Sequence, residues 1–354
     1  MSVNLQTLGW DDVRAAEFAE LQATSGSELR PARVARVDRA AVTVITAAGY
    51  ERVRLSGRLF HADDSAAPNG TPTVGDWVAL DGPVAIAILP RRSAFERGAA
   101  SGEAVAQVIA ANVDTVFVVA PLIGRARPRL LQRCVALGWQ AGATPVVVLS
   151  KKDLADDAAD RAAATRADAV GVDVHVVSAV TGDGLDELDR YLRPGHTFAM
   201  IGPSGAGKST LANALADGAV ALPTGGIRDD GKGRHTTVAR ELVMLPSGAV
   251  AIDTPGLRGL ALWGADDGIA AAFSDVESFA QDCRFADCRH DTEPGCAVVQ
   301  AISDGDLAAS RLSDYNKLLR EQRWQESRRD SRLRAQERAR VKAFAKSVRG
   351  LPHH

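Results

Sequence analysis

The order of apolar and polar positions divides the chain into distinct textures. Residues 1–30 hold one helical stretch, about Asp11 to Gln22, then a polar linker that ends before Pro31. From Ala32 to about Ser93, short runs alternate: Arg33-Val34-Ala35-Arg36-Val37, Val42-Thr43-Val44-Ile45, Val53-Arg54-Leu55, Asp76-Trp77-Val78-Ala79-Leu80 and Ala85-Ile86-Ala87-Ile88-Leu89. Turn residues separate them (Ala48-Gly49, Asn69-Gly70, Asp81-Gly82-Pro83). Period-two alternation buries one face of a strand. About five such strands predict a small β-barrel, with the OB-fold as the expected version. Barrels of this kind bind nucleic acid in many proteins and are only structural in others.

From Asn112 the apolar runs become continuous, at Thr115–Ala120, Pro145–Leu149, Val174–Ser178, Phe198–Ile201 and Ala249–Asp253. Helical stretches at about Arg129–Trp139, Leu154–Val170 and Leu185–Tyr191 separate the earlier ones. Strands alternating with helices predict a mostly parallel sheet covered on both faces. A segment of helical composition closes the chain, about Asp306 to Ser347, with a partial apolar stripe at Leu307, Leu312, Tyr315, Leu318 and Leu319. The expected organisation is multidomain α/β. An N-terminal extension (1–30) precedes a barrel (31–95), an α/β domain (96–265), a further small domain (266–310) and a helical tail (311–354).

At 354 residues the chain exceeds what one core usually holds. With 46% hydrophobic and 24% charged residues it has an ordinary globular composition. No apolar run approaches the roughly 20 residues that span a bilayer, and no basic-then-apolar export signal opens the chain. A cytoplasmic protein without membrane contact is the expectation, with a monomer as the expected state. The formal net charge of −2 hides an asymmetry: residues 311–350 carry 13 Lys/Arg against 5 Asp/Glu, leaving about −10 for the rest. A basic end on an acidic protein points to a polyanionic partner.

Chemistry concentrates at Gly202-Pro203-Ser204-Gly205-Ala206-Gly207-Lys208-Ser209, a full match to G-x-x-x-x-G-K-[ST] between a predicted strand and a helix that opens with Thr210. Such a loop converges backbone N–H groups on phosphate oxygens; Lys208 would reach the β/γ-phosphates and Ser209 would sit on Mg²⁺. Asp253-Thr254-Pro255-Gly256, 51 residues after Gly202, has the D-x-x-G form. There Asp253 supports Mg²⁺ and the Gly256 N–H senses a γ-phosphate. Between them, Gly231-Lys232-Gly233-Arg234-His235-Thr236-Thr237 reads as a switch loop in which Thr236 or Thr237 gives a further Mg²⁺ ligand. Upstream, Ser150-Lys151-Lys152-Asp153 is a variant of N-K-x-D. The Asp153 carboxylate would accept guanine's ring N–H and exocyclic amine, a donor pair adenine lacks, while the stem of Lys151 lies along the nucleoside. Ser178-Ala179 after the next strand matches the loop whose N–H binds the guanine oxygen. Ser150 departs from the Asn of the motif, a change expected to loosen guanine affinity and to leave Asp153 in place.

In an ordinary GTPase the guanine motifs follow the phosphate motifs, and here they precede them. Chain ends of compact domains lie close together, so a domain can be cut and rejoined with every site residue kept in place. The chain reads as a circularly permuted GTPase. Further on, Cys283-x4-Cys288-x-His290-x5-Cys296 gathers three thiolates and an imidazole within fourteen residues. That is the ligand set of a closed, structural Zn²⁺ site, one per chain. Cys134, in a predicted helix, is read as packing only.

Together these features resemble the RsgA (YjeQ/YloQ) family of ribosome small-subunit-dependent GTPases, over about residues 5 to 325. The specific pieces are Ala111-Asn112-Val113-Asp114, the phosphate loop, Gly233–Thr237, Asp253–Gly256 and the cysteine cluster. The resemblance implies a GTP-hydrolysing factor of late small-subunit maturation that binds GTP and GDP, with the small subunit and its rRNA as partner. Leu257 follows D-x-x-G where Ras-type enzymes use a Gln to orient water. Isolated turnover is therefore expected to be slow, with His235 orienting the water once the subunit orders its loop; a phosphate or RNA contact is its other reading. An RNA-binding switch with incidental turnover is the alternative function. An ATP-using small-molecule kinase is opposed by Asp153 and Ser178-Ala179.

Overall fold

The structure, a computed structural model, describes residues 3–38, 41–60, 70–97, 107–216, 241–253, 266–291 and 293–323. Five strands form the expected barrel: β1 (Leu29–Val37), β2 (Ala41–Thr46), β3 (Gly49–Leu55), β4 (Trp77–Asp81) and β5 (Val84–Ile88). Their order is β1-β2-β3-β5-β4, with β4 pairing back onto β1 to close the ring. Only the β3–β5 pair is parallel in that ring. The alternation read from the sequence fills the interior: Val34, Val42, Val44, Val78 and Leu80 are fully buried.

A short antiparallel pair, β6 (Ala94–Arg97) and β7 (Gln107–Ala111), leads into the α/β domain. There β8 (Thr115–Pro121), β9 (Thr144–Ser150), β10 (Val174–Val176), β11 (Thr197–Ile201), β12 (Glu241–Met244) and β13 (Val250–Asp253) form the order β10-β9-β8-β11-β13-β12. All neighbours are parallel except β12 on β13. Both faces are covered, which is why these strands read as continuous apolar runs. On β8, Val116 and Val118 join one core and Phe117 and Val119 the other. Helices α2 (Pro128–Gln140) and α3 (Ala158–Asp168) follow β8 and β9, and α4 (Lys208–Leu215) follows β11. The helix expected over Leu154–Val170 is divided: a 3-10 turn over Lys152–Leu154 stops at extended Ala155, and α3 begins three residues later.

The barrel and the α/β sheet share one hydrogen-bonded sheet, which the sequence did not announce. The nine-residue β1 pairs with β4 through Leu29–Arg33, and past the irregularity at Val34/Arg36 it offers Arg36 to Glu241 of β12. A polar joint reinforces this. Buried Arg33 donates to the carbonyls of Leu8, Gly75 (3.3 Å) and Asn112 (3.1 Å) and to the Thr197 hydroxyl (2.8 Å). Burial pushes its guanidinium down to about 10, against the opposing pull of the Asp114 and Asp76 carboxylates. Asn112, in the left-handed region (φ 56°), accepts from Arg14 of α1 (Asp12–Thr24) at 2.6 Å, and Asp114 accepts the Thr197 N–H at 2.7 Å. The segment Ala111-Asn112-Val113-Asp114 thus holds the extension, the barrel and the start of β11 together.

After the sheet come α5 (Asp266–Ala272), α6 (Ser274–Ala280), α7 (Ala297–Asp304) and a helix whose residues 309–323 are described. Gly268 lets α5 lie close on α2, since a Cβ there would stand 2.4 Å from the Ala136 carbonyl oxygen. Arg311 fastens the last helix, donating to both oxygens of Asp275 (2.6 and 2.8 Å) and to the carbonyls of Asp168 and Ala272. Among the described residues no helix is long and apolar enough to cross a membrane.

Candidate functional site

The site lies at the carboxyl ends of the parallel strands, where crevices of open α/β sheets receive ligands. β11 ends at Ile201 and the chain turns at once through residues 202–207 into α4. Gly202 has φ 141° and lies against β8, where a Cβ would be 2.1 Å from the Val119 carbonyl oxygen; only glycine fits. Gly205 and Gly207 also have positive φ, and Gly207 caps α4 without a side-chain bond. The Ser204-Gly205-Ala206-Gly207 backbone therefore curls over the start of a helix that carries Lys208, Ser209 and Thr210 in its first turn. Lys208 Nζ donates to the Gly202 (2.8 Å) and Pro203 (2.7 Å) carbonyls, which draws its charge back across the loop.

The upstream motifs meet this loop. Ser150, buried at the end of β9, donates its hydroxyl hydrogen to the Ala206 carbonyl at 2.6 Å. The short side chain thereby ties the guanine motif to the phosphate loop, an anchor that spacing alone could not reveal. Lys151 adopts φ 64°, and its Cε would lie 3.9 Å from a Cβ on Gly207, so its stem runs along the loop. Asp153 accepts from the Ser178 hydroxyl at 2.6 Å, and that oxygen accepts from the N–H groups of Val180 (3.3 Å) and Thr181 (3.1 Å). This chain of bonds fixes the Asp153 carboxylate beside the turn that carries Ala179. Leu154 and Val180, each next in sequence to one of these motifs, are 61% and 77% exposed. They put exposed apolar surface beside these motifs, which nothing in the sequence marks in a lone Leu or Val. Asp153→Asn is expected to cut GTP affinity by roughly a hundredfold or more and to admit xanthosine triphosphate, whose ring pairs an N–H with a carbonyl. Competition binding checks this; unchanged GTP affinity would remove Asp153 from base recognition.

Asp253 ends β13, which runs parallel to β11 and so reaches the same edge as the phosphate loop. Gly256, Leu257, His235, Thr236, Thr237 and the tail beyond residue 323 lie outside the described residues. Cys134 is buried in α2, and burial pushes its thiol up to about 11, in keeping with a packing role.

The cysteine cluster closes on itself, with one ligand atom from each of Cys283, Cys288, His290 and Cys296 lying within 4.8 Å of the others. Cys283 Sγ is 3.9 Å from Cys296 Sγ and 3.6 Å from His290 Nδ1, and Cys296 Sγ is 3.5 Å from His290 Nδ1. A tetrahedron with metal–sulfur bonds of about 2.3 Å has edges of about 3.8 Å, so the donor set fits a single metal ion. His290 is held at φ 58°, and Cys296 caps α7, its sulfur accepting from the Val299 N–H at 3.5 Å.

The RsgA GTPase family model matches residues 88–263. Small ribosomal subunit biogenesis GTPase RsgA of Streptomyces coelicolor is 43% identical over 346 residues, covering 96% of this chain and 92% of that protein. Its namesake in Opitutus terrae is 42% identical over 363 residues, covering 98% and 97%. Among solved structures, YjeQ from Thermotoga maritima aligns with a TM-score of 0.61 at 25% identity, over 83% of this chain and 98% of that one. The circularly permuted GTPase YloQ shares the fold, with a TM-score of 0.59 at 24% identity over 83% and 95%.

Proposed function

This chain belongs to the RsgA GTPase family and is a GTP hydrolase, and from that premise we propose how its residues serve maturation of the small ribosomal subunit. The observation that carries the reading is the meeting of two motifs in inverted order, through Ser150 on Ala206 and Asp153 on Ser178. That meeting would make one nucleotide site from segments 56 and 25 residues apart. Guanine would be read by Asp153 and the Ala179 N–H, with Lys151 along the nucleoside. The phosphates would lie in the loop of Gly202, Ser204, Gly205, Ala206 and Gly207, held by Lys208. Mg²⁺, held by Ser209, Asp253 and Thr236 or Thr237, supplies charge neutralisation on the β- and γ-phosphates.

His235 is assigned to orient the attacking water. The Cys283/Cys288/His290/Cys296 cluster is assigned to one structural Zn²⁺, since its thiolate-rich, closed set suits zinc and leaves no open position. The partner is the small subunit, reached through rRNA phosphates by the barrel and by the basic residues of 311–350. GTP would favour docking and hydrolysis would release the protein, as a monomer in the cytoplasm.

The test is GTP and ATP turnover by the purified protein with and without small subunits. The expected result is slow GTP turnover alone, a rise of about two orders of magnitude or more with subunits, no use of ATP, and loss of the rise in His235→Ala. Turnover indifferent to subunits would favour the RNA-binding switch instead.

A further inference from the structure

A cavity of about 310 Å³ lies beside the phosphate loop. Gly202, Pro203 and Ser204 form one part of its wall, and the turn from Ile123 to Arg127 between β8 and α2 forms another. That turn carries Arg125 and Arg127. Both are exposed, and among the described residues neither guanidinium has an ion pair or a hydrogen bond.

The neighbouring arginines are all committed. Arg129 donates to Asp314 (3.0 Å) and Arg133 pairs with Glu321 (2.9 Å), both on the last helix. Arg161 holds both oxygens of Asp157 (2.8 Å) and donates to the Gly124 carbonyl (2.8 Å). Its last bond pins the turn at Gly124, which has φ 83°. Two uncommitted cations thus stand on a fastened turn, in one cavity with the first three residues of the phosphate loop.

The end of the loop they share is the one that matters for hydrolysis. Lys208, which in such loops reaches the β/γ-phosphates, has its ammonium against the Gly202 and Pro203 carbonyls. The terminal phosphate therefore belongs at the Gly202–Ser204 end. In the transition state negative charge spreads over its oxygens and over the departing bridge oxygen, and an arginine supplied within the chain or by a partner is a recurrent answer.

We propose that Arg125 and Arg127 supply positive charge to the terminal phosphate during hydrolysis, which makes the β8–α2 turn a second, built-in part of the hydrolytic machinery. The inference rests on the reading of residues 202–209 as the GTP site. In the step itself the water oxygen bonds to the γ-phosphorus while the bond from that phosphorus to the bridge oxygen breaks. Its electron pair leaves with GDP, and the proton released by water ends on inorganic phosphate. The arginines neither gain nor lose a proton; they hold the charge that appears on the bridge and equatorial oxygens.

The experiment compares wild type with the double variant Arg125→Ala/Arg127→Ala in single-turnover GTP hydrolysis, alone and with small subunits. Affinities for GTP and GDP and formation of a GDP–aluminium fluoride complex are measured alongside. The expected result is a rate at least about tenfold lower in both conditions, nucleotide affinities within about twofold of wild type, and loss of the aluminium fluoride complex. Retained GDP affinity shows that the variant is folded. Wild-type hydrolysis in the double variant overturns the proposal, and weaker subunit binding with that result would assign the arginines to rRNA phosphates instead. An equal loss of GTP and GDP affinity with the rate kept also overturns it, because the arginines would then serve binding alone. Failure of wild type itself to bind GTP would instead sink the reading of the site.

Discussion

Lys208→Ala is expected to bring GTP turnover down at least about a thousandfold, close to the limit of detection. Two losses combine in that change. The first is a cation whose ammonium sits against the Gly202 and Pro203 carbonyls, at the end of the loop assigned to the terminal phosphate. Charge-assisted contacts of this kind act in a site of low effective dielectric, where they are worth far more than in water. The second is mechanical. Two of the three Lys208 donors hold the loop's own carbonyls, so alanine also frees the turn that follows Gly202. GTP affinity should therefore fall more than GDP affinity, because the contact to the γ-phosphate exists only with GTP. Ser150 on Ala206 and the packing of Gly202 on Val119 are untouched by the substitution, so the two ends of the loop stay anchored and the protein keeps its fold. Single-turnover hydrolysis with parallel binding of both nucleotides reads all three effects. Turnover within tenfold of wild type would mean that the lysine is a brace and not a phosphate ligand.

The parts of this protein that could be read in advance are those whose physics is local. A phosphate loop needs glycines at fixed offsets before a lysine, because backbone geometry within eight residues makes the site. A zinc-type cluster needs soft ligands close together in the chain. The barrel strands announced themselves through alternation, and the α/β strands through its absence, since one face is buried in the first case and both in the second. What stayed hidden depends on distant segments. Arg33 reads as a polar position on an alternating strand, yet it is buried and spends its donors on residues 25, 42, 79 and 164 positions away. The pairing of Arg36 with Glu241 makes one sheet of two domains and has no signature in either strand. Ser150 departs from the Asn of its motif, yet its hydroxyl donates to the Ala206 carbonyl, a bond with no trace in the sequence. Arg125 and Arg127 belong to no motif, and only the fold puts them in one cavity with Gly202. The split of the expected 154–170 helix is of the same kind, because Lys152 is drawn into a bond from its N–H to the Val177 carbonyl at 3.1 Å.

Removing the metal from the cysteine cluster is expected to unfold residues 283–296 and to leave basal GTP turnover nearly unchanged. Structural zinc sites contribute on the order of 10 kcal/mol to the folding of small modules. Little else here would replace that. Among its described residues the segment between Cys283 and Cys296 has no helix or strand, Phe285 is 42% exposed, and α7 takes its N-terminal cap from the Cys296 sulfur. Without the ion, three thiols and an imidazole within 4.8 Å of one another are left to a few turn hydrogen bonds, such as the Arg284 N–H on the Gly295 carbonyl at 3.1 Å. The damage should stop at α6. Arg311 fixes the last helix to Asp275 and to the Ala272 and Asp168 carbonyls, and none of those bonds involves the cluster. Metal analysis of the purified protein should give one zinc per chain, and Cys288→Ala should abolish it. Limited proteolysis should then cut that variant between residues 281 and 297 while the GTPase core survives and still turns over GTP alone. Stimulation by small subunits should be lost if the ordered module takes part in docking. A metal-free variant that resists protease in this segment as well as wild type does would show that packing, and not zinc, holds the module. A variant that also loses basal turnover would show that the Arg311 clamp fails to insulate the nucleotide site.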